Sequence, residues 1–224
     1  MPLYINDNFK NILFIHIPKT GGTSIEQSLS IYPEAFFNKF NKYHVTPQHF
    51  DREDYLHLSI PSIIEASFCL VRNPLDRLHS EYKYRVRRSK RLYKFFDFES
   101  FVYYVKRIGS DNCHLDNHLR SQVDFVFPDT KIYRFEDGVV NVMENVSKDL
   151  AFSKCVLGKH EKKSKIISLK RSRQIDEIIY KTYKDDYVAF KYKIVISDSN
   201  LTIFKRVSCF LKSFIWPIGL FLMK

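Results

Sequence analysis

Asn11-Ile12-Leu13-Phe14-Ile15-His16-Ile17-Pro18-Lys19-Thr20-Gly21-Gly22-Thr23-Ser24-Ile25-Glu26-Gln27 decides the fold. Ile12 to Ile17 is a short apolar run rich in β-branched and aromatic residues, the pattern of a buried strand. Pro18 cannot donate to a sheet ladder, so the strand is expected to end there. Lys19 to Ser24 then makes a tight loop in which Gly21 and Gly22 allow close approach of the backbone to a ligand. Thr23 or Ser24 is expected to cap a helix running on through Ile25, Ser28 and Leu29. Strand, glycine loop and helix start together form an anion site, because backbone N–H groups and the positive end of the helix dipole converge there. Lys19 adds a full charge, and the hydroxyls add donors.

The nucleotide-triphosphate loop, G-x-x-x-x-G-K-[ST], places its Lys after the glycines and a magnesium-holding hydroxyl after the Lys. Here Lys19 precedes Gly21-Gly22, and no acidic strand end stands out to hold a metal. The loop therefore reads as a phosphate cradle that works without magnesium. The plainer alternative is a glycine turn between a core strand and a surface helix, but Lys-Thr-Gly-Gly-Thr-Ser carries more donors than a turn requires.

Phe14 to Ser24 resembles the 5′-phosphosulfate loop of sulfotransferases that use 3′-phosphoadenosine 5′-phosphosulfate (PAPS). The nearest branch is the carbohydrate group with the heparan-sulfate 2-O and 6-O enzymes and many bacterial relatives. The resemblance implies that Lys19, Thr20, Gly21, Gly22, Thr23 and Ser24 bind the donor, with Lys19 neutralising charge on the leaving phosphate. A second strand is expected within Ile60 to Val71, emptying into Arg72-Asn73-Pro74-Leu75-Asp76-Arg77-Leu78-His79-Ser80-Glu81-Tyr82. Pro74 suits the start of a helix, where its missing N–H is harmless. The segment resembles the family's 3′-phosphate motif, with Asn73 where Asp is usual. Arg72 and Ser80 are carried over as 3′-phosphate contacts, the Arg offering a planar fork matched to phosphate. Arg77 is read as pairing with a neighbouring carboxylate. Tyr43-His44-Val45-Thr46 resembles the His-x-Thr of bacterial members, which implies His44 as the base for the acceptor hydroxyl. A neutral imidazole suits that task. His49 and His57 are the competing candidates.

The chain has 224 residues, 45% hydrophobic and 16% aromatic, which fits a globular domain with a sizeable core and excludes a disordered chain. A formal net charge of +11 favours anionic partners without choosing among nucleotides, glycans, membranes and nucleic acid. The four cysteines, Cys69, Cys113, Cys155 and Cys209, lack metal-ligand spacing and fit free thiols in a reducing compartment. No secretory signal or anchor is recognised in the opening residues. The Lys, Ile, Asn, Phe and Tyr content suits an AT-rich bacterial genome.

Lys83 to Lys94 interleaves basic residues with tyrosines and fits a nucleic-acid or lipid patch, a groove for an anionic glycan, or a solvated helix end. Phe95 to Ile108 reads as an amphipathic helix closed by Gly109. His114 and His118, four apart, raise a metal site, but no third ligand is evident. Their segment resembles the family's His-x-x-Pro-Gln, which assigns His118 and Gln122 to acceptor contact or loop ordering. Lys131 to Phe135 is a third expected strand and Asp137 to Leu150 a helix; Arg134-Phe135-Glu136 matches a family signature. Leu157 to Ile166 resembles the basic segment that covers the nucleotide, and Ser172 to Phe190 is expected as one helix. Val207 to Met223 is apolar but carries Lys212 and Pro217. It reads as an interfacial anchor or as an element packed on the core.

The expected fold is α/β: a P-loop-like parallel sheet flanked by helices. The resemblance implies a sulfotransferase domain over 1–192, with a C-terminal extension over 193–224. The function it implies is PAPS-dependent sulfuryl transfer to a carbohydrate hydroxyl, without a metal. Glycans or glycolipids are the expected acceptors, and a membrane surface is a further partner through the basic face and the tail. Nucleic acid is not expected, and the oligomeric state is left open. The expected location is the cytoplasm, either free or peripheral at the inner face of the cytoplasmic membrane. Two alternatives stand: a degenerate, non-catalytic anion- or membrane-binding protein of the same fold, and a magnesium-dependent kinase.

Overall fold

The computed structural model describes residues 2–32, 34–36, 45–87, 95–110, 113–155 and 171–222. The chain divides into two compact units, Met1–Arg72 with Cys113–Lys165, and Asn73–Asn112 with Ile166–Lys224.

The first unit is built on a five-stranded sheet: β1 (Pro2–Ile5), β2 (Asn11–Ile15), β3 (Glu34–Phe36), β4 (Ala66–Val71) and β5 (Lys131–Arg134), in the order β3-β1-β2-β4-β5. The strands β2, β4 and β5 run parallel, with Ile15 level with Cys69 and Val71 level with Arg134. β1 is antiparallel to both β2 and β3. Every β2 residue after Asn11 and every β4 residue after Ala66 is buried, as central strands of a covered sheet must be. On one face, Ile12, Phe14, Phe68 and Leu70 meet helix α1 (Gly22–Ser28) and helix α5 (Val139–Leu150) through Ile25, Val142, Met143 and Val146. The Phe14 and Phe68 rings stack at 4.9 Å. Helix α2 (Arg52–His57) starts on a reciprocal cap between Asp51 and Asp54.

The α/β reading and the three expected strands hold. Residues 60–63 form a 3-10 turn and the strand itself begins at Ala66. Two strands went unread: the opening of the chain pairs as β1, and Glu34–Phe36 pairs as β3. Parallel register has a functional result. The carboxyl ends of β2, β4 and β5 stand side by side, and ligands of open α/β sheets bind at such ends.

The second unit holds α3 (Pro74–Val86), α4 (Phe98–Ile108), α6 (Arg173–Thr182), α7 (Lys184–Ala189) and α8 (Ile203–Leu222). Pro74 is at the first position of α3, and the Asn73 side chain accepts from the Leu75 N–H at 3.0 Å. Asn thus caps α3 itself, as an Asp oxygen would. The single helix expected over 172–190 breaks at Tyr183, where the backbone leaves the helical region. The apolar tail is α8. It packs on α4 through Trp216, whose ring lies 4.9 Å from Phe101 and whose Nε1 donates to Ser100 Oγ at 3.1 Å. Pro217 removes the N–H that would serve the Ser213 carbonyl, and the Arg107 guanidinium donates to that carbonyl at 3.0 Å instead. No helix among the described residues is long and apolar enough to cross a membrane.

Candidate active site

The glycine loop leaves β2 at His16 and re-enters regular structure at Gly22. Lys19 takes a left-handed conformation (φ 68°) and Gly21 follows at φ 95°. Both glycines are sterically required. A Cβ on Gly21 would lie 2.8 Å from the Phe135 ring, and one on Gly22 would lie 2.4 Å from His16 Nε2. Gly21 is itself the N-cap of α1, and no side chain caps that end. The expected cap by Thr23 or Ser24 is therefore wrong: the helix starts earlier, because the glycine supplies the turn. Thr20 is buried, and its hydroxyl donates to the Ile17 carbonyl at 2.8 Å. That side chain shapes the loop. Thr23 is exposed and Ser24 half-buried.

Arg72 follows β4 and joins this loop. Its Nη1 donates to the Lys19 carbonyl at 3.3 Å, and its guanidinium lies 4.3 Å from the centre of the Phe135 ring. The fully buried Gln122 side chain fixes the Arg72 backbone from both sides. It accepts from the Arg72 N–H at 2.9 Å and donates to the Arg72 carbonyl at 2.8 Å. Lys19, Gly21, Arg72 and Phe135 thus converge from the ends of the three parallel strands. Of the roles expected for Gln122, this geometry matches loop ordering.

Beside the loop lies a group of histidines. His16 Nδ1 is 2.7 Å from Glu26 Oε1 on α1, and Gln48 Nε2 donates to the two Glu26 oxygens at 2.9 and 3.0 Å. Burial raises the Glu26 carboxyl, but the bonds from His16 and Gln48 outweigh it and leave the pKa below the ordinary value. The His49 ring stands edge-on to His16 at 5.3 Å and to His118 at 4.8 Å. His49 Nδ1 is 2.6 Å from Asp116 Oδ2. The same carboxylate accepts from the Thr46 N–H at 2.5 Å and the Thr46 hydroxyl at 2.8 Å. Burial is the largest influence on the His49 imidazole and lowers its pKa below the ordinary 6.5; the bond to Asp116 opposes this without overcoming it. Burial raises the Asp116 carboxyl in turn, but the bonds from His49 and Thr46 bring it down to about 2. At neutral pH His49 is therefore a neutral imidazole, with Nδ1–H held on an ionised carboxylate and Nε2 left as the basic nitrogen.

The segment carrying Asp116 is strained. Leu115, Asp116 and Asn117 are all left-handed, at φ 56°, 63° and 60°, which costs about 1–2 kcal/mol per residue. Asn117 Nδ2 donates to the His49 carbonyl at 2.9 Å, so the turn holds that residue by side chain and backbone alike. Arg120 pairs with Asp51 at 2.8 Å and closes the turn. Ligating atoms of His49, Asp116 and His118 lie within 4.8 Å of one another, a spacing that could hold a metal ion. Three hydrogen bonds already fall on Asp116, however, and an oriented His–Asp pair describes the group better. His114, the other half of the His pair noted in the sequence, is exposed.

Of the residues expected at the site, Lys19, Thr20, Gly21, Gly22, Thr23, Ser24 and Arg72 belong to this one constellation. Ser80 is half-buried on α3, in the second unit. His44 and the basic segment 157–166 fall outside the described residues. Sequence reading missed Asp116, Glu26 and Gln48. It gave Phe135 no role beyond a signature.

The profile of the sulfotransferase family matches residues 2–193. The chain belongs to the sulfotransferase family. No curated protein and no solved structure matches it. The matched stretch takes in the loop, Arg72, the His49–Asp116 pair and α3, and it leaves α8 outside.

Proposed function

We propose that this sulfotransferase transfers a sulfuryl group from PAPS to a hydroxyl of a carbohydrate acceptor, a polysaccharide or a lipid-linked glycan, without a metal. The acceptor oxygen attacks sulfur and the bond from sulfur to the 5′-phosphate oxygen breaks. The acceptor proton passes to a histidine, and 3′-phosphoadenosine 5′-phosphate leaves. By likeness to phosphoryl transfer, catalysis is alignment and charge stabilisation. Lys19 and the N–H groups of the loop through Ser24 take the charge that grows on the leaving phosphate. Arg72 and Ser80 take the 3′-phosphate, which separates PAPS from ATP.

The observation that carries this reading is the seating of Arg72 on the Lys19 carbonyl and the Phe135 ring, with its backbone fixed by Gln122. Two cationic side chains held on one donor-rich loop suit a ligand with more than one phosphate. For the base we favour His49 over His44, since Asp116 holds its Nδ1 and leaves Nε2 to take a proton. Glycan acceptance rests on the resemblance to the carbohydrate branch.

Calorimetry in EDTA tests the donor. Tight binding of 3′-phosphoadenosine 5′-phosphate, lost in Arg72→Ala and weakened in Lys19→Ala, is the expected result. Preference for ATP with magnesium would return the loop to a kinase reading, and binding of neither nucleotide would favour a degenerate docking protein. For the base, His49→Ala is expected to abolish transfer from radiolabelled PAPS while keeping nucleotide binding. Retained turnover in His49→Ala with loss in His44→Ala would reassign the base.

A further inference from the structure

Helix α8 has two apolar faces. At 100° per residue, Cys209, Ser213, Trp216 and Leu220 fall together and are the buried residues facing α4. On the opposite side, Ile203, Phe204, Val207, Phe210, Leu211, Phe214, Ile215 and Ile218 span an arc of about 140°. All of these are exposed, Phe204 at 89%, Ile203 at 76%, Ile218 at 61% and Leu211 at 60%. Isolated surface hydrophobes are ordinary, but a contiguous stripe of this size marks a surface that meets something apolar.

Charge says what that is. α8 contains Lys205, Arg206 and Lys212 and no Asp or Glu. Lys205 and Lys212 run along one border of the stripe, both reaching Asp97. Arg206 lies on the other border, and the exposed Arg107 of α4 places its guanidinium 4.9 Å from the Phe214 ring. A stripe of Phe, Leu and Ile edged by cations is the composition of a helix lying in a lipid headgroup plane. Two copies joined through the stripe would instead bring like charges together along both borders.

We infer that the outer face of α8 docks the protein flat onto an anionic lipid bilayer, with the Phe204–Ile218 stripe in the headgroup region and Arg206 and Arg107 against lipid phosphates. The inference stands independently of the reaction proposed above. It is tested with the full chain and vesicles of phosphatidylcholine with or without phosphatidylglycerol, by sedimentation at low salt, with light scattering for mass and circular dichroism for folding. Wild type is expected to pellet with the anionic vesicles and to be released by high salt. Arg206→Glu should weaken partition by at least about fivefold, the worth of one cation near such a surface. Phe204→Asp with Leu211→Asp, at two exposed positions, should abolish it with the fold intact. Failure of wild type to pellet would overturn the inference, as would unchanged pelleting of the double variant. A wild-type dimer that the double variant turns into monomer would assign the stripe to a second copy and likewise overturn it.

Discussion

Asp116→Asn is the sharpest test of the histidine pair, because the two carboxylate oxygens have different partners. One accepts from the Thr46 backbone N–H at 2.5 Å, and the other from His49 Nδ1 at 2.6 Å and the Thr46 hydroxyl at 2.8 Å. A backbone N–H can only donate, so the amide oxygen of Asn must stay on Thr46. The amide nitrogen then faces His49 Nδ1 and obliges it to accept, which moves the imidazole proton to Nε2 and removes the base. If His49 is the base, the loss is that of general-base catalysis, about 10²–10⁴-fold in turnover, with nucleotide affinity unchanged. The wild-type rate should fall as pH drops through the His49 pKa, below 6.5, and level off above it. Nitrogen NMR of the imidazole reads the tautomer without any acceptor: Nδ1 protonated in wild type, Nε2 protonated in the variant. An Asn variant that keeps the wild-type tautomer, or keeps full turnover, refutes the reasoning. Stability gives a second readout. The Asp116 pKa falls from 3.8 to about 2 on folding, so its contribution is present above pH 3.8 and disappears as pH falls towards 2. That contribution is about 1 kcal/mol once solvent screening of the partly exposed carboxylate is allowed for.

Gln122→Ala strips two hydrogen bonds from the Arg72 backbone at a fully buried position. Urea unfolding should show a loss of about 2–4 kcal/mol, and the affinity for 3′-phosphoadenosine 5′-phosphate should fall as Arg72 loses its seat. In Gly22→Ala the new Cβ, 2.4 Å from His16 Nε2, must push the ring off Glu26. The cost should be about 1–3 kcal/mol, read as a fall of several degrees in melting temperature. Trp216→Ala empties a fully buried site between α8 and α4 and should cost about 3–5 kcal/mol, whereas the exposed Phe204→Ala should stay within about 0.5 kcal/mol; equal effects would mean that α8 does not pack as described.

The loop was legible because its signals are local. An apolar run, a proline and two adjacent glycines specify strand, stop and turn within a dozen residues, and Arg72 after a second such run follows the same rule. β1 and β3 were not legible for the opposite reason. Their residues carry little strand pattern and are ordered by pairing, Leu3 against Leu13 on one side and Ala35 on the other. The proposed base was harder still. Sequence offers several histidines near the loop, and what sets His49 apart is an aspartate 67 positions away. That aspartate arrives by way of three left-handed residues, none of them glycine, so no local signal announces the turn. Thr20 shows something else that sequence does not carry: its hydroxyl donates to a neighbouring carbonyl and so braces the loop.

Backbone strain ties the two halves of the site together. Lys19 in the loop and Leu115 to Asn117 in the His49 turn are four of the eight non-glycine residues with positive φ among the described residues. Each costs about 1–2 kcal/mol, and such conformations persist only where the surroundings over-determine them. On the loop side the constraint is the buried end of β2, with Thr20 bonded back to Ile17 and Gly21 pressed on Phe135. On the turn side it is the chain of Thr46, Asp116, Asn117, Arg120 and Asp51. His16 lies between them, its ring on Gly22 and edge-on to His49. With Nδ1 against Glu26 and Nε2 over the glycine, His16 is placed to act as a spacer. A spacer of that kind keeps the neutral imidazole of His49 at a fixed distance from the cationic loop, which is what the proposed role of His49 as base requires.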